Sequence, residues 1–572
     1  MKQFKGIPAS PGIAAGPAFV YRPVELIVPS SPGVDAAIEW TRCQRAMAAA
    51  QQELAALRQR ATSEFGEEEA AIFDAHQMIV SDPDLEEELR AELEAGACAE
   101  AAVEIVYARA IKTFQDMDDP FFRSRGMDFV DVRRRLLCLL LGIQDRSLAE
   151  LDTPAIILAQ DLMPSDTAQM NKAMVRGFCT AGGGPLSHTA ILARNLGLPA
   201  VVGAGDGILG ISSNTPSIVD GGEGILIVDA GEDVQAAYRE RAAVTADSVS
   251  AARAQAHAPA VTRDGHQVEI GANIGLPGEE ADALQAGAEG IGLLRTEFLF
   301  VGRQTAPGEE EQFKAYLPIF EAMGDRPVIA RTLDIGGDKP APFLSVPHED
   351  NPYLGWRAIR IGLSQPELLK TQLRALLRAG SGHNLKIMFP MIATIEEIEA
   401  ARHLLDEARG ELEARGQALA GLVEVGTMVE VPSAALMADH LATQVDFFSI
   451  GSNDLTQYTL AADRGNPAVA GLTDSLHPAV LRLVDQVIRS AHAAGIWVGL
   501  CGELAGDLTA IPVLLGLGLD EFSMGAAAIP GAKALIRRLS RSEAQSLAGE
   551  ALSQPNARSV RELVHRWMSD RT

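Results

Sequence analysis

Along the second half of this chain, apolar runs of strand length recur eight times, each followed by a stretch with apolar positions at helical spacing. The runs read VEIGANIG (268–275), GIGLLRTE (290–297), VIARTLD (328–334), LKIMFPM (385–391), VGTMVE (425–430), DFFSIGSND (446–454), WVGLCGE (497–503) and EFSMG (521–525). Strand and helix alternating in this way over about the length of one barrel predict a closed parallel (β/α)8 fold of TIM type, whose chemistry gathers at the strand C-terminal ends. Those ends carry Arg295, Arg331, Glu430, Asn453, Asp454 and Cys501. Guanidiniums that can grip phosphate, carboxylates that can hold Mg²⁺ and one thiol around a single mouth describe a site for a small phosphorylated anion. Any one strand-end Arg could equally be a salt-bridge partner, and Cys501 alone would read as a small buried hydrophobe. Their occurrence on successive strands favours an enzyme site.

The first half has a different texture. Residues 1–22 (through GIPASPGIAAGPAFVY) hold Gly, Pro and β-formers, which predict turns and an edge strand. From about Val34 to Gly142 the text is Ala/Glu/Leu/Arg-rich, with apolar positions such as Ala70, Phe73 and Ile79, and predicts a helical bundle. Short strands (AIILA, AVVG, GILIV) with Gly-rich turns return between Leu151 and Asp229. The N-terminal strand is therefore expected to join this second unit, with the helical block inserted. The expected organisation is an α/β domain from 1–30 and 145–230, a helical subdomain over 31–144, a linker helix over 231–259 and the barrel over 260–572.

Composition narrows the setting. Five cysteines without a CxxC pair fit a reducing compartment rather than a disulfide framework or zinc site. The start, MKQFKGIPASPG, lacks an apolar signal core, and the longest greasy run, LLCLLLGI, is far shorter than the roughly 20 residues that span a bilayer. A cytoplasmic protein without membrane insertion is expected. A formal net charge of −27 disfavours nucleic acid as a partner. It suits a basic protein partner, although acidic surfaces also serve solubility alone. Between Glu64 and Glu94 twelve carboxylates face one arginine, Arg90. That stretch reads either as a solvated helix face or as a dock for a basic partner.

One loop adds a nucleophile. GGGPLSHTAILARNLGLPAVVG (182–203) sets Ser187 and His188 after a glycine run and at the start of an amphipathic helix. Helix N-termini offer unpaired N–H groups and a positive dipole end, so a phosphoryl group on His188 would be held there. A neutral imidazole is a competent nucleophile near pH 7. A lone Ser-His pair would instead be read as ordinary helix capping.

That loop, together with GIPASPGIAAG, GIGLLRTEFLF, RTLDIGGDK, NPYLGWRAIRIG, MFPMI, FFSIGSNDLTQYTLAADRGNP and GLCGELAGD, resembles the Enzyme I family of the phosphoenolpyruvate-dependent sugar phosphotransferase system. The resemblance runs the whole length of the chain. It implies an α/β domain phosphorylated on His188, with Thr167 hydrogen-bonding the imidazole. It implies a helical subdomain docking the phosphocarrier HPr, with His76 and Asp82 at docking positions. It implies a barrel that binds phosphoenolpyruvate and dimerises. Substrate contacts fall on Arg295, Arg331, Asn453, Asp454 and Arg464, with Lys339 and Arg357 in motifs near the same site. The Mg²⁺ ligands fall on Glu430 and Asp454, and the acid that protonates enolpyruvate on Cys501. One position departs from the family pattern: Pro185-Leu186 precedes the Ser-His where relatives carry a polar pair, often Arg-Thr.

Two other readings compete. Pyruvate phosphate dikinase and phosphoenolpyruvate synthase share such domains but need an ATP-grasp domain, for which the helical N-terminal 150 residues are too few. A non-catalytic phosphorelay scaffold would not need His188, Arg295, Glu430, Asp454 and Cys501 together.

Overall fold

The computed structural model describes residues 1–29, 33, 35–64, 67–115, 120–143, 148, 151–184, 187–301, 303–337, 343–344, 349–464, 466 and 469–571. The chain forms two compact units, Met1–Asp247 and Ser248–Thr572.

In the first unit, β1 (Lys2–Lys5), β2 (Ile7–Ser10) and β3 (Ile13–Val20) precede five helices, α1 (Ala36–Glu64), α2 (Glu67–Val80), α3 (Pro83–Glu94), α4 (Ala99–Gln115) and α5 (Pro120–Leu141). Then come β4 (Ala155–Ala159), α6 (Pro164–Ala168), β5 (Val175–Thr180), α7 (His188–Leu196), β6 (Ala200–Val202), β7 (Pro216–Asp220), β8 (Ile225–Val228) and α8 (Glu232–Ala254). The strands form one mixed sheet in the order β1-β8-β7-β3-β4-β5-β6-β2. β3 and β4 are adjacent and parallel, with α1–α5 between them in sequence, so the helical block is an insertion between neighbouring strands. β1 and β2 lie at opposite sheet edges although only Gly6 separates them. Along α1 the buried positions Cys43, Ala46, Ala50, Leu54, Leu57 and Ala61 recur at three and four residues and pack against α3, α4 and α5. Truncating a buried leucine of that stripe, as in Leu54→Ala, would cost about 2–5 kcal/mol.

The second unit is the barrel. After β9 (Ala260–Val261) come β10 (Gln267–Ile274), β11 (Gly290–Arg295), β12 (Val328–Arg331), β13 (Leu385–Phe389), β14 (Glu424–Val429), β15 (Phe447–Ile450), β16 (Trp497–Leu500) and β17 (Glu521–Met524). Strands β10–β17 pair in parallel, and β10 pairs with both β11 and β17, which closes the barrel. Apart from the exposed Gln267 and Glu269 at the start of β10, the strands are buried or half-buried on both faces, hence the continuous apolar runs in the sequence. Leu293, Ile329, Met388, Met428 and Phe447 point inward. Their neighbours Leu294, Ile387, Phe389, Val429 and Phe448 join the larger core that includes the outer helices.

All eight expected barrel strands form; β11 and β12 end on Arg295 and Arg331, whereas the strands before Glu430, Asn453-Asp454 and Cys501 stop short of those residues. The run DFFSIGSND, for example, is strand only over Phe447–Ile450, and a helix begins at Ser452. The barrel floor holds one unexpected group, Glu521, which is 5% exposed. Gly271, Gly292 and Gly499 make room for it, since a Cβ at those positions would come within 2.6, 2.2 and 2.1 Å of its carboxylate oxygens. Its Oε2 has no hydrogen-bond partner. Burial, and secondarily the Glu269 charge, push this carboxyl up to about 8 against the pull of Lys386.

Candidate active site

In the first unit, His188 is the first residue of α7, and Ser187 caps that helix with Oγ accepting from Ala190 N at 3.4 Å. Gly183, at φ +84°, allows the loop to close on this cap, where a side chain would press on Ser187 Oγ at 3.2 Å. Thr189 Oγ1 donates to Asp161 Oδ1 at 2.9 Å and ties the first turn of α7 to the segment after β4. Thr167 is buried in α6, and its hydroxyl donates to Pro164 O at 2.9 Å. Pro185 and Leu186 lie outside the described residues. A cavity of about 740 Å³ adjoins α6, walled by Arg60 of α1, Arg134 and Arg135 of α5, and Ser165.

The acidic stretch of the helical block is partly consumed by intramolecular pairing. Asp74 pairs with Arg58 at 2.6 Å, Glu92 with Arg109 at 2.7 Å and Glu86 with Arg90 at 2.8 Å. Asp82 caps α3, accepting from Asp84 N at 2.9 Å. His76 is not a surface residue, contrary to its expected docking position. It lies on the apolar stripe beside Phe73, is fully buried, and contacts Asp128 across α5 at 3.3 Å.

In the barrel, a cavity of about 550 Å³ opens at the C-terminal strand ends. Arg295, Arg331, Glu430, Asn453, Asp454, Arg464 and Cys501 all line it. Arg295 and Arg331 end the paired strands β11 and β12 and share Glu297, whose Oε1 receives Arg295 Nε at 3.0 Å and Arg331 Nη2 at 2.6 Å. Burial opposes the Arg331 charge, but Glu297, Asp334 and Glu430 outweigh it and hold the guanidinium above its ordinary range. Glu430 follows β14 directly, is 1% exposed, and accepts from Met391 N at 2.7 Å. Met391 holds a left-handed φ of +59°, strain spent on aiming that N–H. Burial first, then the Asp454 and Asp334 charges, raise Glu430 to about 8. Asp454 sits in the first turn of the helix Ser452–Leu460. Its Oδ1 has no hydrogen-bond partner and lies 3.7 Å from Arg464 Nη1. Asn453 Oδ1 accepts from Glu503 N at 3.1 Å.

Cys501 follows β16, is 5% exposed, and its sulfur accepts from Ser449 Oγ at 3.3 Å. Burial pushes the thiol up to about 12, against the Ser449 hydroxyl, so it stays protonated at neutral pH. Arg357 is brought near but does not line the cavity. It is buried behind Asp454, with Nη2 at 3.1 Å from Asp334 and 3.6 Å from Asp454, and Nη1 at 3.1 Å from the Tyr458 hydroxyl. Lys339 lies outside the described residues. Glu297, Asp334 and Ser449 are site residues without a motif of their own: Asp334 lines the cavity, while Glu297 and Ser449 reach it through Arg295, Arg331 and Cys501.

Two of these carboxylates suit a divalent cation. Glu430 is held protonated by burial and by the repulsion of Asp454, and Asp454 keeps an orphaned oxygen. A cation between them would relieve both. Among the described residues no cluster of three or more acidic, His or Cys groups forms a complete cage. No described helix is long and apolar enough to cross a membrane.

Comparison with known proteins agrees with this geometry. Residues 249–541 match the family model described as PEP-utilising enzyme, PEP-binding domain, residues 5–125 the N-terminal model and residues 151–224 the mobile-domain model. The phosphoenolpyruvate-protein phosphotransferase of Priestia megaterium is 45% identical over 564 residues, covering 98% of both chains. That of Listeria innocua is 44% identical over 570 residues, covering 100% of both, and that of Bacillus subtilis is 44% identical over 562 residues, covering 98% of both.

Proposed function

The chain belongs to the phosphoenolpyruvate-protein phosphotransferase family, and from that premise we propose that it moves the phosphoryl group of phosphoenolpyruvate onto His188 and then onto a histidine of the phosphocarrier HPr. Pyruvate is released, and the transfer is the first step of sugar uptake by the phosphotransferase system. The observation that carries the reading is the single cavity lined by Arg295, Arg331, Arg464, Glu430, Asp454 and Cys501.

Phosphoryl transfer needs alignment and charge stabilisation more than covalent help. Arg295, Arg331 and Arg464 grip the phosphate oxygens, and Asn453 fixes the orientation of the bound anion. The P–O bond to the enol oxygen breaks as the N–P bond to the His188 imidazole forms, with Thr167 supporting that ring, and the electron pair stays on the enolate. The Cys501 thiol then delivers its proton to the methylene carbon, giving pyruvate, and regains a proton from solvent. Arg357 steadies Asp454 from behind. A divalent cation, assigned here as Mg²⁺, would be held by Glu430 and Asp454 and would neutralise charge on the phosphate and carboxylate.

HPr is the expected acceptor, steered to the acidic helices by charge, with the exposed Asp84, Glu87 and Glu88 available on α3. We assign the protein to the cytoplasm, as a homodimer formed through the barrel. A pyruvate-release assay tests the reading. Without carrier, pyruvate should appear in a burst no larger than the amount of protein. With HPr of Bacillus subtilis and a phosphate sink, release should become continuous. No release in either case would contradict it.

A further inference from the structure

Glu297 lies in the short turn Thr296–Leu299 that closes β11, and it is 1% exposed. One of its oxygens accepts from two guanidiniums at once, Arg295 Nε at 3.0 Å and Arg331 Nη2 at 2.6 Å. Two like charges on neighbouring strands repel, and a buried carboxylate oxygen between them offsets that repulsion. It also decides which N–H groups remain. With Nε occupied and the Phe298 ring 4.6 Å away, Arg295 is left its Nη edge. Arg331 Nη2 is further fixed by Asp334 at 3.3 Å, while its buried Nε has no hydrogen-bond partner. An orphaned buried donor is costly unless something arrives to accept from it. The turn bearing Glu297 is itself braced. Thr296 Oγ1 donates to Arg331 O at 2.8 Å and accepts from Gln372 Nε2 at 3.0 Å.

We propose that Glu297 is a positioning residue that locks Arg295 and Arg331 in the orientation that receives the substrate phosphate, an inference that rests on the phosphoryl-transfer reading above. The lock is geometric: what matters is an acceptor at the right place between two donors. Gln at this position keeps the acceptor and loses the charge, whereas Asp keeps the charge and withdraws the acceptor by one methylene. A donor displaced from the phosphate by about 1 Å no longer makes its charge-assisted hydrogen bond, which weakens the grip on the bound anion.

The experiment compares E297Q and E297D with the wild type by steady-state pyruvate release with HPr, by calorimetric binding of phosphoenolpyruvate and by thermal unfolding. E297Q should raise KM about 5-fold and E297D about 50-fold, with unfolding midpoints close to wild type. In an R295K background the E297Q effect on KM should shrink, because one of the two donors it serves is gone. The reverse order, with E297D milder than E297Q, would make charge and not position the cause. Lower kcat with unchanged KM would reduce Glu297 to a structural support, and either result overturns the proposal. Should E297D fail to fold, an E297Q KM equal to wild type still overturns it. If the wild type neither binds phosphoenolpyruvate nor releases pyruvate, the phosphoryl-transfer reading falls and takes this inference with it. If the wild type turns over and only the variants disagree, the inference alone falls.

Discussion

Cys501 and Ser449 show what a single hydrogen bond contributes inside the barrel. Burial keeps the thiol protonated, and the hydroxyl at 3.3 Å orients it from the neighbouring strand. If, as proposed, the proton goes to the enolate and not to bound phosphoenolpyruvate, Cys501→Ala should lower kcat at least about 100-fold while KM stays within about 3-fold. Steady-state kinetics of pyruvate release check this, and equal losses in binding and turnover would contradict it. Glu521 offers a prediction about stability. Its folded value of about 8 lies above its ordinary 4.5. The folded protein keeps a proton that the unfolded chain gives up, so stability falls as pH rises from about 4.5 to about 8 and levels off beyond. E521Q should recover part of that loss, on the order of a few kcal/mol at pH 8, and change little at pH 4.5. Urea midpoints at the two pH values decide. Arg295, Glu430 and Cys501 were legible in the sequence because apolar strand flanks each of them. The burial of His76 is hidden in an acidic stretch: only its spacing from Phe73 and Val80 puts it on the buried stripe of α2. Glu297 was overlooked because its partners come from two strands, and Arg331 lies far from it in sequence.

At the scale of elements, the apolar runs located every barrel strand, but the strands end earlier than the runs. Glu430, Asn453 and Asp454 lie beyond the last strand hydrogen bonds, where the backbone turns to present them. Gly451 belongs to such a turn. A Cβ there would stand 2.8 Å from Glu430 Oε2 and 2.9 Å from Glu430 Cβ. G451A should therefore displace the Glu430 carboxylate and raise the Mg²⁺ concentration needed for half-maximal turnover about 10-fold. A metal titration identical to wild type would contradict that. The first-unit sheet was less legible. Nothing in KQFKGIPAS says that two strands separated by one glycine go to opposite edges, since strand order is set by pairings with β6 and β8 about 200 residues away.

At the scale of the whole molecule, His188 and the cavity at the barrel mouth belong to different compact units. The proposed chemistry requires His188 to reach the barrel mouth and then to leave it for the carrier. The helix α8 runs across the division between the units, and its first half packs Val234 and Tyr238 against Ile218 and Ile227 of the sheet. In the proposed reaction, phosphoenolpyruvate with its divalent cation would supply the differential contacts that a population shift needs. Fluorophores on the two units should thus report a ligand-dependent change in distance. A distance unaffected by ligand in a protein that still turns over would contradict the swing.

In the proposed reaction this chain carries the phosphoryl group of phosphoenolpyruvate on His188. Radiolabelled phosphoenolpyruvate tests it most directly, with wild type and H188A compared side by side and the labelled peptide mapped. Acid-labile, base-stable label is expected on the peptide containing His188, none in H188A, with binding of phosphoenolpyruvate retained by the variant's barrel. Label that persists in H188A, or that maps to another residue of the wild type, would contradict it.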